Sequence, residues 1–462
     1  VLSSSGSITN PPMRQEFIRR FWYNAVAMEQ DEDYSTLTTP HDNKNTEMNI
    51  ASYLFCLVGI GYLFPFSALT QPADYWALLF PSFNIEFSIT AVYMYTNLSS
   101  LAMLVFFGGT PDFVSRIKYG FVGQLLILVV VPTSYFLGLD ENYNCYVIMG
   151  LTSVIAIITA FLDSAVISLS TQYPLQVQEY FQLGVGVSTL IGSLYRDCTK
   201  LVFPSSMLVA SSLLYFYVGA ITIGFCIFSF SRLMALKISA KALLNAVQLR
   251  EEEEEHRSLS RNSSNNAIAT ESTLLLEVKN DTIRSKTEKT KSRKLMVFRK
   301  IWFNELMVCL LFMSTLALWP PLVTEIPVYT YFNLEASSWW SLILLTVFSA
   351  MDCLGRLLVR FRCGLNNQNI WKVVLGRAFV LFPLIICSVM GVIFTHDLFS
   401  VFFVSLLGFT NGYVGTMCII FVNECLDDKE DQAIAGTFTS FFLNLGLVIG
   451  ASIGLALNGF SK

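Results

Sequence analysis

Charge is scarce in this 462-residue chain. Asp, Glu, Lys and Arg make up only 14% of it, and histidine occurs three times. With 53% hydrophobic residues and a mean hydropathy of +0.54, that excludes an ordinary soluble domain, in which roughly 25% of residues are charged. His41, His256 and His396 fall in inferred loops or tails. The ten cysteines are scattered through or beside apolar runs without metal-ligand spacing. Neither a metal centre nor a disulfide framework follows, and the cysteines read as small core residues. A membrane-embedded enzyme needs clustered histidines or a nucleophile with its base. The spans offer neither, so an enzyme, a cofactor and a nucleic-acid partner are not expected. No cleavable signal peptide is read at the start. The chain begins at Val1 without an initiator Met, which leaves an upstream segment open.

What is present is apolar sequence in bilayer-length pieces. Residues 1–48 are polar, with Pro11-Pro12 and an acidic patch, and read as a disordered cytoplasmic tail. Six apolar spans follow within 49–236 and five more within 299–462. Between them, 237–298 carries Glu251 to Glu255, a serine cluster and a basic run, and reads as a disordered cytoplasmic loop joining two bundles. With the N-terminus inside, 26 of the 30 Lys and Arg residues lie on the inner side, Arg377 among them, and Lys200 and Lys462 lie outside. The expected architecture is an all-α polytopic membrane protein with eleven transmembrane helices, N-terminus cytoplasmic and C-terminus outside. The sequons at Asn97, Asn262 and Asn280 fall in a span or the inner loop and should stay unused. The same loop offers basophilic kinase sites around Ser258, Ser260, Ser263 and Ser264. It also offers Glu271 followed by Leu275-Leu276, which has the form of a sorting-adaptor signal.

The run from Trp339 to Phe361 is apolar except for Asp352 and Arg356, four residues apart and so on one helical face. A charge deep in such a helix costs roughly 2.5–3.5 kcal/mol on insertion scales, so both side chains should face protein or water. Gly355 between them allows close approach of a neighbour. Two readings stand: a structural ion pair, or a polar grip on a substrate crossing the membrane. The first span ends in Gly59-Ile60-Gly61-Tyr62-Leu63-Phe64-Pro65-Phe66. There Pro65 removes a backbone bond and exposes the Gly61 carbonyl, which suits a cavity wall or a plain kink.

Taken in order, several segments resemble the equilibrative nucleoside transporter family, and its plant and protist members in particular. They are Gly59 to Leu69, Asp163 to Pro174 leading to Gly184-Val185-Gly186, and Trp319-Pro320. They continue with Asp352-x-x-Gly355-Arg356, Asn411-Gly412-Tyr413, and Ala435-Gly436 through Asn444-Leu445-Gly446-Leu447. The resemblance implies a major-facilitator-like fold of six plus five helices with a central site. It places Asp352 and Arg356 at the ribose side of the permeant, where a carboxylate accepts from vicinal hydroxyls and a guanidinium donates. It puts Leu63 and Phe66 against the nucleobase face, with Asn444 and Leu447 on the cavity side of the last span. Asn411 is read as a packing residue. Gly61, Pro65, Gly184, Gly186, Pro320, Gly355 and Gly446 mark places where spans pack closely or bend.

Departures from the family pattern matter too. Relatives often have Trp where Phe66 stands, and Ser67 replaces their Asn. Asp163 stands where mammalian relatives have a base-contacting Gln, and a carboxylate can only accept. Arg196 is the cation expected to pair with it. Two acids (Asp163, Asp352) then balance two arginines (Arg196, Arg356) inside the membrane. The function implied is facilitated, sodium-independent transport of nucleosides, and of nucleobases, by alternating access. The alternative is a proton-coupled symporter using Asp163. The plasma membrane is the expected location, with an endosomal or vacuolar membrane as the alternative.

Overall fold

The computed structural model describes residues 40–82, 85–107, 113–138, 140–204, 207–243, 273–331 and 339–461. Two compact units are distinguished, Val1–Met48 and Asn49–Lys462, and the packing and the candidate site lie in the second. Every described element is helical: α1 (Pro40–Thr70), the short α2 (Ala73–Leu79), α3 (Ile85–Phe107), α4 (Phe113–Thr133), α5 (Glu141–Ser170), α6 (Leu175–Val202) and α7 (Leu208–Met234). After the polar insert come α8 (Thr273–Leu318), α9 (Trp340–Leu357), α10 (Ile370–Met390), α11 (Asp397–Glu424) and α12 (Lys429–Ser461).

Ten of these helices are long and apolar enough to cross a bilayer. They do so because a backbone in hydrocarbon must satisfy its own hydrogen bonds. Of the other two, α2 is only seven residues long, and α6, 28 residues long and framed by Pro174 and Pro204, carries Glu179, Arg196, Asp197 and Lys200. Its polar side chains Gln178, Gln182, Ser188, Ser193, Arg196 and Thr199 are buried against protein. Such a helix has no need of an apolar surface on that face.

Local signals set the ends. Glu430 and Asp431 occupy the first turn of α12, where the helix dipole favours negative charge. His396, in a loop as expected, caps α11 from that loop's last position, its Nδ1 accepting from the Leu398 amide at 3.2 Å. Two expectations of disorder need correction. Residues 40–48 of the supposed tail are helical, as are 237–243 and 273–298 of the supposed linker. Composition misled there: a Lys- and Glu-rich stretch is polar yet built of good helix formers. The remainder of both segments, with the kinase-type serines, lies outside the described residues.

In packing, α5 lies on α3 and α4, and α4 on α7; α8 lies on α10, α11 and α12, and α11 on α9 and α10. The two sets meet where α6 lies on α9 and where α12 lies on α3 and α5. The crossing that fixes the site is α9 on α11. A Cβ at Gly408 would strike the Phe348 carbonyl, and one at Gly412 the Asp352 carbonyl. From the other side, Gly355 faces the backbone of Phe409 and Tyr413. Small residues spaced by four let the two backbones touch, the usual basis of helix association in lipid. Gly412→Val should therefore lower stability by about 2 kcal/mol or more. A melting curve of detergent-purified protein checks this, and an unchanged midpoint would contradict the packing described.

Candidate functional site

Asp352 and Arg356 are 2% and 6% exposed, and they pair directly, Arg356 Nε donating to Asp352 Oδ2 at 2.8 Å. Neither relies on the other alone. The second carboxylate oxygen accepts from Asn411 Nδ2 at 2.6 Å. Arg356 reaches across to α6, where Nη1 donates to Gln182 Oε1 at 2.9 Å and to its backbone oxygen at 3.3 Å. Gly186 makes that reach possible, because a Cβ there would lie 2.6 Å from Arg356 Cδ. Higher on the same seam, Ser193 meets Ser349 at 3.3 Å and Thr346 donates to Asp197 at 2.8 Å.

The network continues into the helices behind. Thr315 Oγ1 donates to Asn411 Oδ1 at 2.8 Å, so the amide of Asn411 is held at both ends. Thr315 in turn accepts from Arg377 Nη2 at 2.8 Å. Arg377 is 6% exposed and spends all its donors: Nε on Thr410 Oγ1, Nη1 on Ser314 Oγ and the Leu311 carbonyl, Nη2 on Thr315 and the Leu407 carbonyl. Counted above with the inner flanking charges, Arg377 is a buried organiser on α10. Its place beyond Lys372, inside the apolar run that starts at Val373, was the available signal, weakened by lying near that run's start.

The second polar group is Asp163 on α5, 3% exposed. Its Oδ2 lies 3.5 Å from Asn444 Nδ2 on α12, and Oδ1 has no hydrogen-bond partner. The Asn97 amide also flanks it. No ion pair joins Asp163 to Arg196, contrary to expectation. Arg196 is buried on α6 within electrostatic reach of Asp197 and Tyr215. Nor is the buried charge two acids against two arginines, since Glu305 on α8 is 0% exposed and Arg377 is buried as well.

Between these groups runs an apolar patch. Phe66 and Leu447 pack against Met94, Leu316 and Val448 in one cluster that also takes in Leu98 and Trp319. Phe66 lies 4.9 Å from the Tyr93 ring, and Trp319 stacks on Phe348 at 4.6 Å and 15°. Phe348 sits one turn before Asp352, so the aromatic surface leads to the charged pair. Leu63 is half-buried three residues from Phe66, on the same side of α1. Gly61 faces Phe121 and Cys226, Gly184 the Cys56 backbone, and Gly446 the Cys309 backbone. Pro65 lies within α1, and Pro320 follows the end of α8. The structure thus brings Phe66 to Leu447, Asp163 to Asn444, and Asp352 to Arg356 and Asn411. An apolar groove of about 700 Å³ beside Leu125, Tyr217 and Phe225 holds none of these residues.

The fold is that of a major-facilitator carrier. The proton:xylose symporter XylE bound to 6-bromo-6-deoxy-D-glucose superposes with a TM-score of 0.61 at 13% identity, covering 90% of each chain. A partially occluded inward-open form of XylE from E. coli gives 0.52 at 11%, over 90% of this chain and 97% of that one. Residues 149–458 match the nucleoside transporter family, and the chain belongs to it. Equilibrative nucleotide transporter 1 of Arabidopsis thaliana is 24% identical over 438 residues, covering 91% of this chain and 89% of the relative. Equilibrative nucleotide transporter 8 of the same plant is 23% identical, covering 88% and 94%. Human equilibrative nucleoside transporter 1 is 29% identical over 156 residues, covering 31% and 33%.

Arg377→Lys keeps the charge but offers three donors in place of the five used here. Stranding buried acceptors costs about 1–3 kcal/mol. The variant's melting midpoint in detergent should fall measurably; equality with the parent protein would show that the network is not what orders this region.

Proposed function

We propose that the chain carries nucleosides, and nucleobases, across a membrane down their gradient, without sodium and by alternating access. The observation that carries this reading is the Asp352–Arg356 pair. It is buried between α9 and α6, bonded to a side chain from each part of the chain, and bordered by the Trp319–Phe348 stack. A carboxylate and a guanidinium one turn apart match vicinal hydroxyls and ring oxygen, and flat apolar rings match a base face. In the arrangement described here, Asn411 and Gln182 occupy these groups. A permeant hydroxyl enters by exchanging with them, which keeps each charge satisfied throughout.

Hydrogen bonds that join the two parts of the chain support alternating access. On one side Lys429 Nζ donates to the Thr171 carbonyl at 2.6 Å and Gln172 Nε2 to the Lys429 carbonyl at 3.0 Å, joining α5 to α12. By the distribution of Lys and Arg this is the cytoplasmic face, and it remains so with Arg377 moved into the membrane. On this reading α6 is the eleventh span, its charges facing protein. The N-terminus is inside and the C-terminus outside. Asp163, meeting amides rather than a guanidinium, accepts from base N–H groups. The insert between α7 and α8 is where kinases or sorting adaptors would engage. The membrane is taken as the plasma membrane, with the Leu275-Leu276 signal pointing to the endosomal or vacuolar alternative.

The test is uptake of labelled purine and pyrimidine nucleosides by proteoliposomes. Arg356→Ala should reduce uptake at least about tenfold, the equivalent of 1.4 kcal/mol, while the amount of inserted protein holds. Normal uptake by that variant would contradict a permeant grip. Lost insertion with uptake per molecule retained would leave the pair as a packing device.

A further inference from the structure

Among the described residues, Glu305 is the one acid with no exposure at all, and the transport reading does not use it. It lies on α8 facing α12, with 0% exposure. Oε1 sits 2.7 Å from Thr439 Oγ1, and Oε2 has no hydrogen-bond partner. Thr439 Oγ1 is also 3.1 Å from the Ala435 carbonyl on its own helix. A hydroxyl has one proton, so Thr439 donates fully to at most one of these two oxygens. The arrangement closes if Thr439 donates to Ala435 and Glu305 itself carries a proton and donates to Thr439. The leftover Oε2 is then a neutral carbonyl oxygen, far cheaper to bury unpaired than a carboxylate.

Among the described residues, no cation is found close enough to favour the charged form. Cys309, one turn along α8, is the titratable group in electrostatic reach, and it would repel a carboxylate if ionised. From α12, Thr439 is the polar group facing Glu305. On α11 the nearby polar contacts are those of Asn304 with the Phe421 carbonyl and Cys425. The charges at the inner ends of these helices are engaged elsewhere. Arg293 holds Asp428, Glu430 and Asp431, and Lys429 donates to Thr171 and Gln432.

We infer that Glu305 and Thr439 form a proton-binding site that holds α12 to α8 directly beside the α5–α12 seal. The adjoining face of this stretch of α12, three residues back, makes that seal: Gly436 packs on Ser168, whose hydroxyl donates to the Ala433 carbonyl at 2.8 Å. Alkaline solution removes the proton, giving a carboxylate and water. An ionised Glu305 in this dry seam then has to draw in water or move away from α12, which loosens the seal beside it. Protonation restores the donor to Thr439 and closes it.

Infrared difference spectroscopy of the full chain in lipid tests the site without any permeant. At neutral pH the native protein should show a carboxylic-acid carbonyl band that Glu305→Gln abolishes, that Asp163→Asn leaves in place, and that alkalinisation removes. Thr439→Val should move the same band to higher frequency as its hydrogen bond is lost, which keeps the test decisive if the glutamine variant does not insert. A native spectrum without a band that depends on Glu305, or a band unmoved in Thr439→Val, overturns the assignment. The effect on flux is the only part that rests on nucleoside transport. Uptake should change with pH in the native protein and be flat in Glu305→Gln. An identical pH profile in both refutes the gating role while leaving the transport reading untouched.

Discussion

The structure depends on the need to keep the Arg356 guanidinium satisfied inside hydrocarbon. A buried charge without partners costs more than the fold can supply, so its partners must be placed before it can be tolerated. Here they form a continuous line from Gln182 through Arg356, Asp352, Asn411 and Thr315 to Arg377. Each member has a defined role as donor or acceptor. The line begins on α6, in the first part of the chain, and ends on α10. The backbone contact of α9 with α11 at Gly408 and Gly412 sets Asp352 at the right distance from Asn411. Glycine packing and polar satisfaction are therefore one constraint.

A second consequence concerns α12, which works on two sides. Toward α5 it offers small groups and backbone, as at Ala433 and Gly436; toward α8 it offers Thr439 and the glycines at 446, 450 and 454. A helix held by close contact on one side and hydrogen bonds on the other shifts as a unit. That is the property alternating access requires of an element lying between two halves. Asn444, on the same helix, meets Asp163 of α5, so the acid proposed to face the base is tied to this helix by a side-chain contact.

Much of the site was legible in the sequence for one reason: charge inside an apolar run is rare and must be explained. Asp352 and Arg356 announced themselves by that rule, and their spacing put them on one face. The apolar runs themselves fixed the helices, α6 included, although its composition falls short of the others. Partner choice was not legible. Whether Asp163 meets Arg196 or Asn444 depends on how α5, α6 and α12 are arranged in space, which no local pattern encodes. Arg377 and Glu305 obey the same rule as Asp352. Each lies near the start of its span, where an inner flanking position is the natural reading, and burial alone distinguishes the two cases. The helical start of α8 was hidden by composition, since exposed charge describes a solvated helix as well as a coil.

The central claim is that Asp352 meets permeant hydroxyls and is not merely the partner of Arg356. The direct measurement is a binding cycle on purified protein, comparing a ribonucleoside with its 2′,3′-dideoxy analogue on the native chain and on Asp352→Asn. A hydroxyl accepted by a buried carboxylate contributes about 1.5–3 kcal/mol, so the native protein should discriminate by roughly tenfold or more. The asparagine variant should lose most of that discrimination. If it discriminates as sharply as the native chain, the carboxylate does not touch the sugar and the pair serves packing alone.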